Sequence, residues 1–165
     1  MTTIEELTPD DFSQVAEWLS DPANNRWLTS DWRNREVTHV LVGLAVRNKK
    51  NRLFLVRADG RPCGLVALAD IDPGDRTAMI WYLLGEKSLA GRGIVTQAVK
   101  HLAEAAFGDL GLSSLYAWLM ADNLSSRRVL EKAGFREVGY IRRATCSAGQ
   151  QVDRIYFDLT PDERS

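Results

Sequence analysis

Apolar residues recur every three or four positions in four parts of the chain, which is the spacing of an amphipathic helix. In the first part, Thr8 offers a capping side chain just before the apolar positions that begin at Phe12. In the second part, Ser30 or Asp31 can cap a segment that runs to about Val46. The spacing predicts helices over residues 9–20, 31–46, 93–107 and 125–133.

Short apolar runs bounded by turn residues lie between these segments, a pattern typical of strands. Residues 53–56 and 64–71 flank the hairpin-turn sequence Ala-Asp-Gly-Arg. Residues 78–84 form an unbroken apolar run, typical of a strand in the middle of a sheet. Further strands are predicted over residues 114–119, 138–144 and 151–159. With one more strand before the first helix, the element order is β-α-α-β-β-β-α-β-α-β-β, which predicts an α/β fold: a mixed, mostly antiparallel sheet with flanking helices.

The size and composition are those of an ordinary globular domain. The chain has 165 residues, 45% of them hydrophobic and 26% charged, so we expect residues 1–165 to form a single domain. The longest apolar run is far shorter than the ~20 residues that span a bilayer, and the N-terminus has no apolar signal core. Cys63 and Cys146 lie far apart with no His at metal spacing. These features favour a cytoplasmic protein with reduced cysteines and no metal.

The net charge of −1 argues against a nucleic-acid-binding protein, but the charge is unevenly distributed. Residues 1–31 contain seven acidic residues against one arginine, whereas residues 125–143 contain six basic residues against two acidic ones. Two interpretations remain open. The segments either face ligands of opposite charge or are solvated faces with acids near helix starts.

Residues 83–96 (LLGEKSLAGRGIVT) lead from a predicted strand through a loop into a helix. The first turn of a helix presents unpaired N–H groups and about half a positive charge. Gly91 and Gly93 let the backbone approach an anion closely. We interpret the loop as a cradle for a phosphate or pyrophosphate; alternatively, the glycines only shape a tight turn. The loop lacks the Gly-Lys-Ser/Thr of a P-loop, and Thr96 stands at the third glycine position of a dinucleotide motif.

A second motif, NLSSRRVLEKAGF, follows at residues 123–135. Gly-Arg-Gly-Ile opening a helix, followed by Asn-x-x-Ser and Glu-Lys-Ala-Gly-Phe, resembles the GNAT acyltransferase superfamily. Within it the chain looks closest to the ribosomal-protein N-terminal (alanine) acetyltransferases, and the resemblance extends over about residues 3–159. It implies the GNAT fold and direct transfer from acetyl-CoA, as co-substrate, to a primary amine in a ternary complex. The leading acceptor is a protein N-terminal α-amine.

The resemblance also implies a set of CoA-binding residues. Backbone N–H groups at the helix start would hold the pyrophosphate, and the end of the preceding strand would pair with the pantetheine arm as an added strand does. Asn123 would hydrogen-bond the pantetheine, and Arg128 would reach a phosphate, with Arg127 and Lys132 as alternatives. The implied residues are Leu83, Leu84, Gly85, Gly91, Arg92, Gly93, Ile94, Val95, Thr96, Asn123 and Arg128.

The general acid of many family members, a tyrosine, is replaced here by Leu130. Ser126 occupies the matching place in the ribosomal branch and is our candidate to protonate the leaving thiolate. Ser125 or Ser126 could instead only cap the helix. Tyr82 is a second candidate acid, or an ordinary core aromatic.

The strand glutamate that many members carry is also absent, with Met79 as its nearest match. An α-amine has a pKa of about 7.7–8.0 and needs little help to lose its proton. Glu86 is our candidate catalytic carboxylate, with Asp70 and Asp72 as alternatives; each could equally be a surface or turn residue.

The acceptor side is predicted from charge. Residues 1–31 carry the negative charge and include Trp27, with Trp32 next to them, so we expect this segment to attract a cationic amine. Two other functions remain open: acetylation of a small amine (amino sugar, polyamine or antibiotic), or an acyl-CoA-binding module without catalysis. The expected partners are acetyl-CoA and an amine, not nucleic acid or a membrane; a homodimer is left open.

Overall fold

A seven-stranded sheet forms the centre of the molecule in the computed structural model, which describes residues 1–163. The strands are β1 (Thr2–Glu6), β2 (Arg52–Ala58), β3 (Arg61–Asp72), β4 (Thr77–Leu84), β5 (Ser114–Met120), β6 (Arg136–Ser147) and β7 (Gln150–Leu159). Their spatial order is β1-β2-β3-β4-β5-β7-β6, and the pairs are antiparallel except for β4 with β5. The predicted mixed, mostly antiparallel α/β fold is confirmed.

Helices cover both faces of this sheet. They are α1 (Phe12–Ser20), α2 (Pro22–Asn25), α3 (His39–Arg47), α4 (Ile94–Gly108) and α5 (Leu124–Lys132). Short 3-10 turns span Pro9–Asp11, Lys87–Leu89 and Pro161–Glu163. Within residues 1–163 there is no helix with the length and apolar content needed to cross a membrane.

Each face of the sheet has its own core, because successive strand residues point to opposite faces. In β3, Leu65 and Ala67 pack with α1 and α3, whereas Val66 and Leu68 pack with α4. This two-sided burial explains why the central strands contain nearly unbroken apolar runs.

The predicted helix over residues 31–46 is wrong in its first half, because the helix begins only at His39. The hydroxyl of Ser20, on α1, accepts a hydrogen bond from the Val37 N–H (2.8 Å) and donates to the Val37 carbonyl (3.0 Å). These bonds hold Val37 beside α1 rather than in a helix. Thr38 then caps α3 by accepting from the Leu41 N–H.

Strands β4 and β5 run side by side for only three positions, ending at the pair Met79 and Tyr116. Beyond that pair, β4 stays bonded to β3 and β5 to β7, but the two strands no longer bond to each other. We call the opening between residues 80–84 and residues 117–120 the β4–β5 gap. On each edge of the gap, every second residue therefore points its backbone N–H and C=O groups into the gap, where no strand within residues 1–163 pairs with them.

Candidate active site

The β4–β5 gap brings the end of β4 to the centre of the site. Leu83 and Leu84, predicted to pair with a pantetheine arm, form the last positions of the β4 edge. Such an edge can accept an extended ligand as an added strand. Beside them, a Cβ on Gly85 would overlap the indole ring of Trp18, so packing against α1 requires glycine there.

Helix α4 begins next to the gap with open backbone donors. Gly91 and Gly93 adopt left-handed φ angles of 80° and 75°, and a Cβ at either position would meet only open space. Within residues 1–163, no acceptor is bonded to the backbone N–H groups of residues 91–96. Ile94 and Thr96 are buried and anchor this first turn, while Arg92 is exposed. The arrangement can bind an anion through the backbone alone.

Helix α5 follows β5, across the gap from β4, and packs against α4. Asn123 caps it by accepting a hydrogen bond from the Ser126 N–H (3.3 Å), so the prediction that Ser125 or Ser126 is the cap is wrong. The Asn123 side-chain nitrogen has no partner in residues 1–163 and is available to a ligand.

Ser126 and Tyr82 meet across the gap. The Tyr82 hydroxyl lies 2.7 Å from the Ser126 Oγ and 3.2 Å from the Ser126 carbonyl oxygen. Burial raises the pKa of Tyr82 above its usual range, so the phenol stays protonated at neutral pH. A proton can therefore pass along the hydrogen bond between the Tyr82 hydroxyl on β4 and the Ser126 hydroxyl on α5.

The arginines of α5 are not equivalent. Arg127 forms ion pairs with Glu131 (3.4 Å) and Glu137 (3.1 Å) and lies over the ring of Phe157. Arg128 is exposed and has no ion pair within residues 1–163. Of the two, Arg128 is the one free to meet a phosphate.

A cavity of about 330 Å³ opens on the other face of the sheet, at the point where β4 and β5 separate. Met79 and Trp81 line it from β4, whereas the alternating Ile80 and Tyr82 face α4. Trp118 lines it from β5. We call this the tryptophan-lined cavity; its aromatic and charged walls are Trp32, Trp81, Trp118, Asp31, Lys50, Asp70 and Arg154.

Two of its tryptophans form a tilted pair. The ring centroids of Trp32 and Trp81 lie 5.8 Å apart at 41°. Trp27, by contrast, lies outside the cavity lining, with the Arg26 guanidinium over its ring.

Asp70 reaches the cavity through a local irregularity of β3. The register of β3 against β4 shifts between Ala69 and Asp72, and Asp70 adopts a left-handed φ of 50°. Its charge adds to the effect of burial in raising the pKa of Tyr116. A strained residue held at a cavity wall is a frequent feature of functional sites.

The other two candidate carboxylates lie elsewhere. Glu86 is exposed beyond the end of β4, and its N–H donates to the Cys63 carbonyl. Asp72 accepts hydrogen bonds from the N–H groups of Gly74 and Asp75 in the β3–β4 turn. Of the three, only Asp70 lines the tryptophan-lined cavity.

The acidic segment is divided between two places. Asp31 lines the tryptophan-lined cavity, whereas Asp21 caps α2 and lines a wider cavity of about 510 Å³ beside α1 and the start of α3. No residue of β4 or β5 lines that wider cavity, so it lies away from the gap.

The sequence model described as Acetyltransferase (GNAT) domain matches residues 2–136, which is more than half of the chain. The chain belongs to the GNAT acetyltransferase family. The resemblance inferred from the two sequence motifs is thereby confirmed at the level of the superfamily.

Two Bacillus subtilis (strain 168) proteins, both provisionally named, are similar to this GNAT chain. YjcK, named as an N-acetyltransferase, is 40% identical over 108 residues, covering 64% of this chain and 59% of YjcK. YdaF, named as a ribosomal N-acetyltransferase, is 34% identical over 105 residues, covering 64% of this chain and 57% of YdaF. Each match therefore spans less than two thirds of the relative's length.

The crystal structure of spermidine N-acetyltransferase from Vibrio cholerae, in complex with CoA and spermine, has the same fold. Its TM-score is 0.87, and the alignment covers 98% of this chain and 96% of that one. At 17% identity, this likeness extends to the fold alone.

Leu130 and Met79 stand at the positions of the general acid and the strand glutamate that many GNAT members carry. Leu130 is 1% exposed in the core, and Ser126 lies one turn earlier on the same helix. Met79 lines the tryptophan-lined cavity beside Asp70. Residues 1–163 contain no group of three or more His, Cys, Asp or Glu side chains arranged to hold a metal ion.

Sequence reasoning did not identify Trp81, Trp118 or Arg154 as site residues. The alternation of β4 could have assigned Met79 and Trp81 to one face. The contribution of β7 depends on strand order, because β7 reaches the site only by inserting between β5 and β6.

Proposed function

We propose that this chain is an N-acetyltransferase that transfers the acetyl group of acetyl-CoA directly to a protein N-terminal α-amine. One observation carries the proposal: backbone N–H groups at the start of α4, unpaired within residues 1–163, lie on one face of the sheet at the β4–β5 gap, and the tryptophan-lined cavity opens on the opposite face. A donor and an acceptor entering from the two faces would meet at the gap.

The proposed CoA site combines backbone and side-chain groups. The N–H groups of residues 91–96 would bind the pyrophosphate, and Leu83 to Gly85 would bond the pantetheine arm in the gap. The free side-chain nitrogen of Asn123 would donate to a pantetheine carbonyl. Arg128 would pair with a phosphate from the solvent side.

The proposed reaction needs one proton removed and one supplied. The neutral amine nitrogen attacks the thioester carbonyl carbon, the C–N bond forms, and the C–S bond breaks to release the thiolate. Backbone N–H groups of the β4 edge would stabilise the negative charge on the carbonyl oxygen. Asp70 would accept the proton lost by the amine. Ser126 would donate a proton to the thiolate while taking one from Tyr82, and proton exchange with solvent would then reprotonate Tyr82 and deprotonate Asp70, so that no net proton is consumed.

Our earlier candidate Glu86 is less suited to this role than Asp70, because it lies outside the lining of the tryptophan-lined cavity. The name of YdaF supports an N-terminal acceptor. A polyamine acceptor is the second candidate, supported by the spermine complex of the same fold and by Asp31 and Asp70 in the cavity.

A thiol-release assay with acetyl-CoA tests the proposal. We expect CoA to bind in calorimetry, and thiol to be released with a peptide that has a free N-terminus but not with its N-acetylated form. Tight CoA binding without turnover on any peptide or small amine would indicate a binding module instead. Absence of CoA binding by the folded protein would overturn the proposal.

A further inference from the structure

We propose that Arg154 selects the acceptor by binding an oxygen atom next to the reacting amine, so that the site takes α-amines with a neighbouring carbonyl or carboxylate and disfavours polyamines. The inference rests on the proposed function, because it requires the tryptophan-lined cavity to hold the acceptor. It assigns a ligand-binding role to β7, which neither sequence motif contains.

Arg154 is held in place by contacts on two sides. It lies on β7 opposite Met120 of β5, and its guanidinium carbon sits 4.1 Å from the ring centroid of Trp118. Its Nε donates to the Oγ1 of Thr145 at 2.5 Å, and Thr145 is 2% exposed. A stacked, hydrogen-bonded guanidinium loses little conformational freedom when it binds a ligand.

The ends of this guanidinium remain unused. Neither terminal nitrogen of Arg154 has an acceptor within residues 1–163, and no carboxylate of that region lies within ion-pair distance. By contrast, Arg52 is paired with Glu6 and Arg57 with Glu5. A charged donor that is only partly solvated gains most from an oxygen acceptor supplied by a ligand.

The cavity is also neutral rather than acidic. Its lining carries two carboxylates, Asp31 and Asp70, and two cations, Lys50 and Arg154. A polyamine with several positive charges would face two like charges there. An α-amine presents one nitrogen close to its own carbonyl oxygen, which matches a carboxylate and a guanidinium in one cavity.

The test compares three acceptors: a tripeptide amide with a free N-terminus, an alkylamine of similar length without carbonyl groups, and spermidine. Steady-state kinetics would be measured for the wild-type protein, Arg154→Gln, Arg154→Lys and the control Lys100→Gln. The control removes one positive charge from α4, on the opposite face of the sheet. CoA affinity and thermal unfolding are measured for every variant.

We expect the wild-type protein to prefer the tripeptide over both other amines. Arg154→Gln should lower kcat/KM for the tripeptide by about 10- to 100-fold, the range of a charged hydrogen bond, mainly through KM. It should leave kcat/KM for the alkylamine unchanged and CoA affinity intact. Arg154→Lys should recover only part of the loss, since ammonium lacks the planar fork.

Three results would overturn the inference: equal losses for all amines in Arg154→Gln, a wild-type preference for spermidine, or the same effect in Lys100→Gln. Failure of acetyl transfer itself is distinct, because the folded wild-type protein would then release no thiol with any amine. That outcome removes the basis of the inference as well.

Discussion

The two sides of the β4–β5 gap are built from different parts of the chain. On the α4 side, residues 91–96 present backbone N–H groups from one continuous segment. On the other side, the tryptophan-lined cavity takes its side chains from β3, β4, β5, β7 and the segment before α3. A backbone site can bind the same phosphate whatever the side chains are, whereas a side-chain site determines which acceptor fits. Donor binding and acceptor choice can therefore be altered separately.

The largest expected effect comes from filling the anion cradle at the start of α4 with a bulky side chain. A Cβ at Gly93 meets open space, so in Gly93→Trp the indole would occupy the anion cradle rather than clash with the protein. We expect CoA affinity to fall by about 100-fold or more, equal to about 2.8 kcal/mol. Isothermal titration calorimetry with CoA measures this loss.

Gly111→Trp is the matched control for that variant. Gly111 also has a left-handed φ, 63°, with open space around its Cβ position, but it lies after α4 and away from the cradle. Both variants should lose similar stability, about 1–2 kcal/mol, because a side chain is strained at such a φ. Retained CoA affinity in a folded Gly93→Trp protein would contradict the cradle.

The hydroxyl pair that spans the gap should have the next largest effect. We expect Ser126→Ala to lower kcat by about 10- to 100-fold, at or below the lower end of general acid catalysis, since a thiolate is already a good leaving group. Tyr82→Phe should lower it less, because Ser126 can still donate. The double variant should match Ser126→Ala alone, since the two hydroxyls act in series.

Ser125→Ala is the control for this pair, since Ser125 is the exposed neighbour on the same helix. Presteady-state measurement of thiol release separates chemistry from product release. Full activity in Ser126→Ala would contradict proton donation by Ser126. A double variant whose loss in kcat equals the sum of the two single losses, in free energy, would contradict proton transfer from Tyr82 through Ser126.

The fold and the backbone geometry at the start of α4, our proposed donor side, could be predicted from sequence because they depend on local patterns. Strand alternation, helical spacing and the two glycines at the start of α4 are each visible within a short window. The start of α3 could not be predicted, because the bonds between Ser20 and Val37 join residues far apart in sequence. The cap of α5 is Asn123 rather than a serine because the helix already begins at Leu124, which places both serines inside its first turn.

The lining of the tryptophan-lined cavity, our proposed acceptor side, could not be predicted because it depends on non-local packing. Arg154 approaches Trp118 only because β7 pairs with β5. The sequence favours Glu86 with Asp70 and Asp72 as alternatives, and only the shift in β3 register shows that Asp70 is the one of the three that lines the cavity. The charge pattern could not separate Asp21 from Asp31, which belong to one acidic segment but line different cavities.

A smaller and pH-dependent effect is expected from the carboxylate of the cavity. An α-amine with a pKa of about 8 is mostly protonated at pH 7, so Asp70→Asn should lower kcat/KM about 10-fold there. The deficit should shrink above pH 8, where the amine is already neutral. Asp72→Asn is the control, because its side chain only closes the β3–β4 turn. A deficit that is constant with pH would indicate a structural role for Asp70.

The smallest expected effect distinguishes the two neighbouring arginines of α5. Arg128 is exposed, so its pairing with a CoA phosphate should contribute about 0.2–1 kcal/mol, and Arg128→Gln should weaken CoA binding about two- to fivefold. The loss should fade at high salt, because exposed charges are screened. Arg127→Gln should instead lower the thermal unfolding temperature, since it removes the contacts with Glu131, Glu137 and Phe157. Calorimetric titrations of both variants with CoA at low and high salt would test these different roles. If Arg128→Gln bound CoA as tightly as the wild-type protein does at low salt, Arg128 would not belong to the donor site.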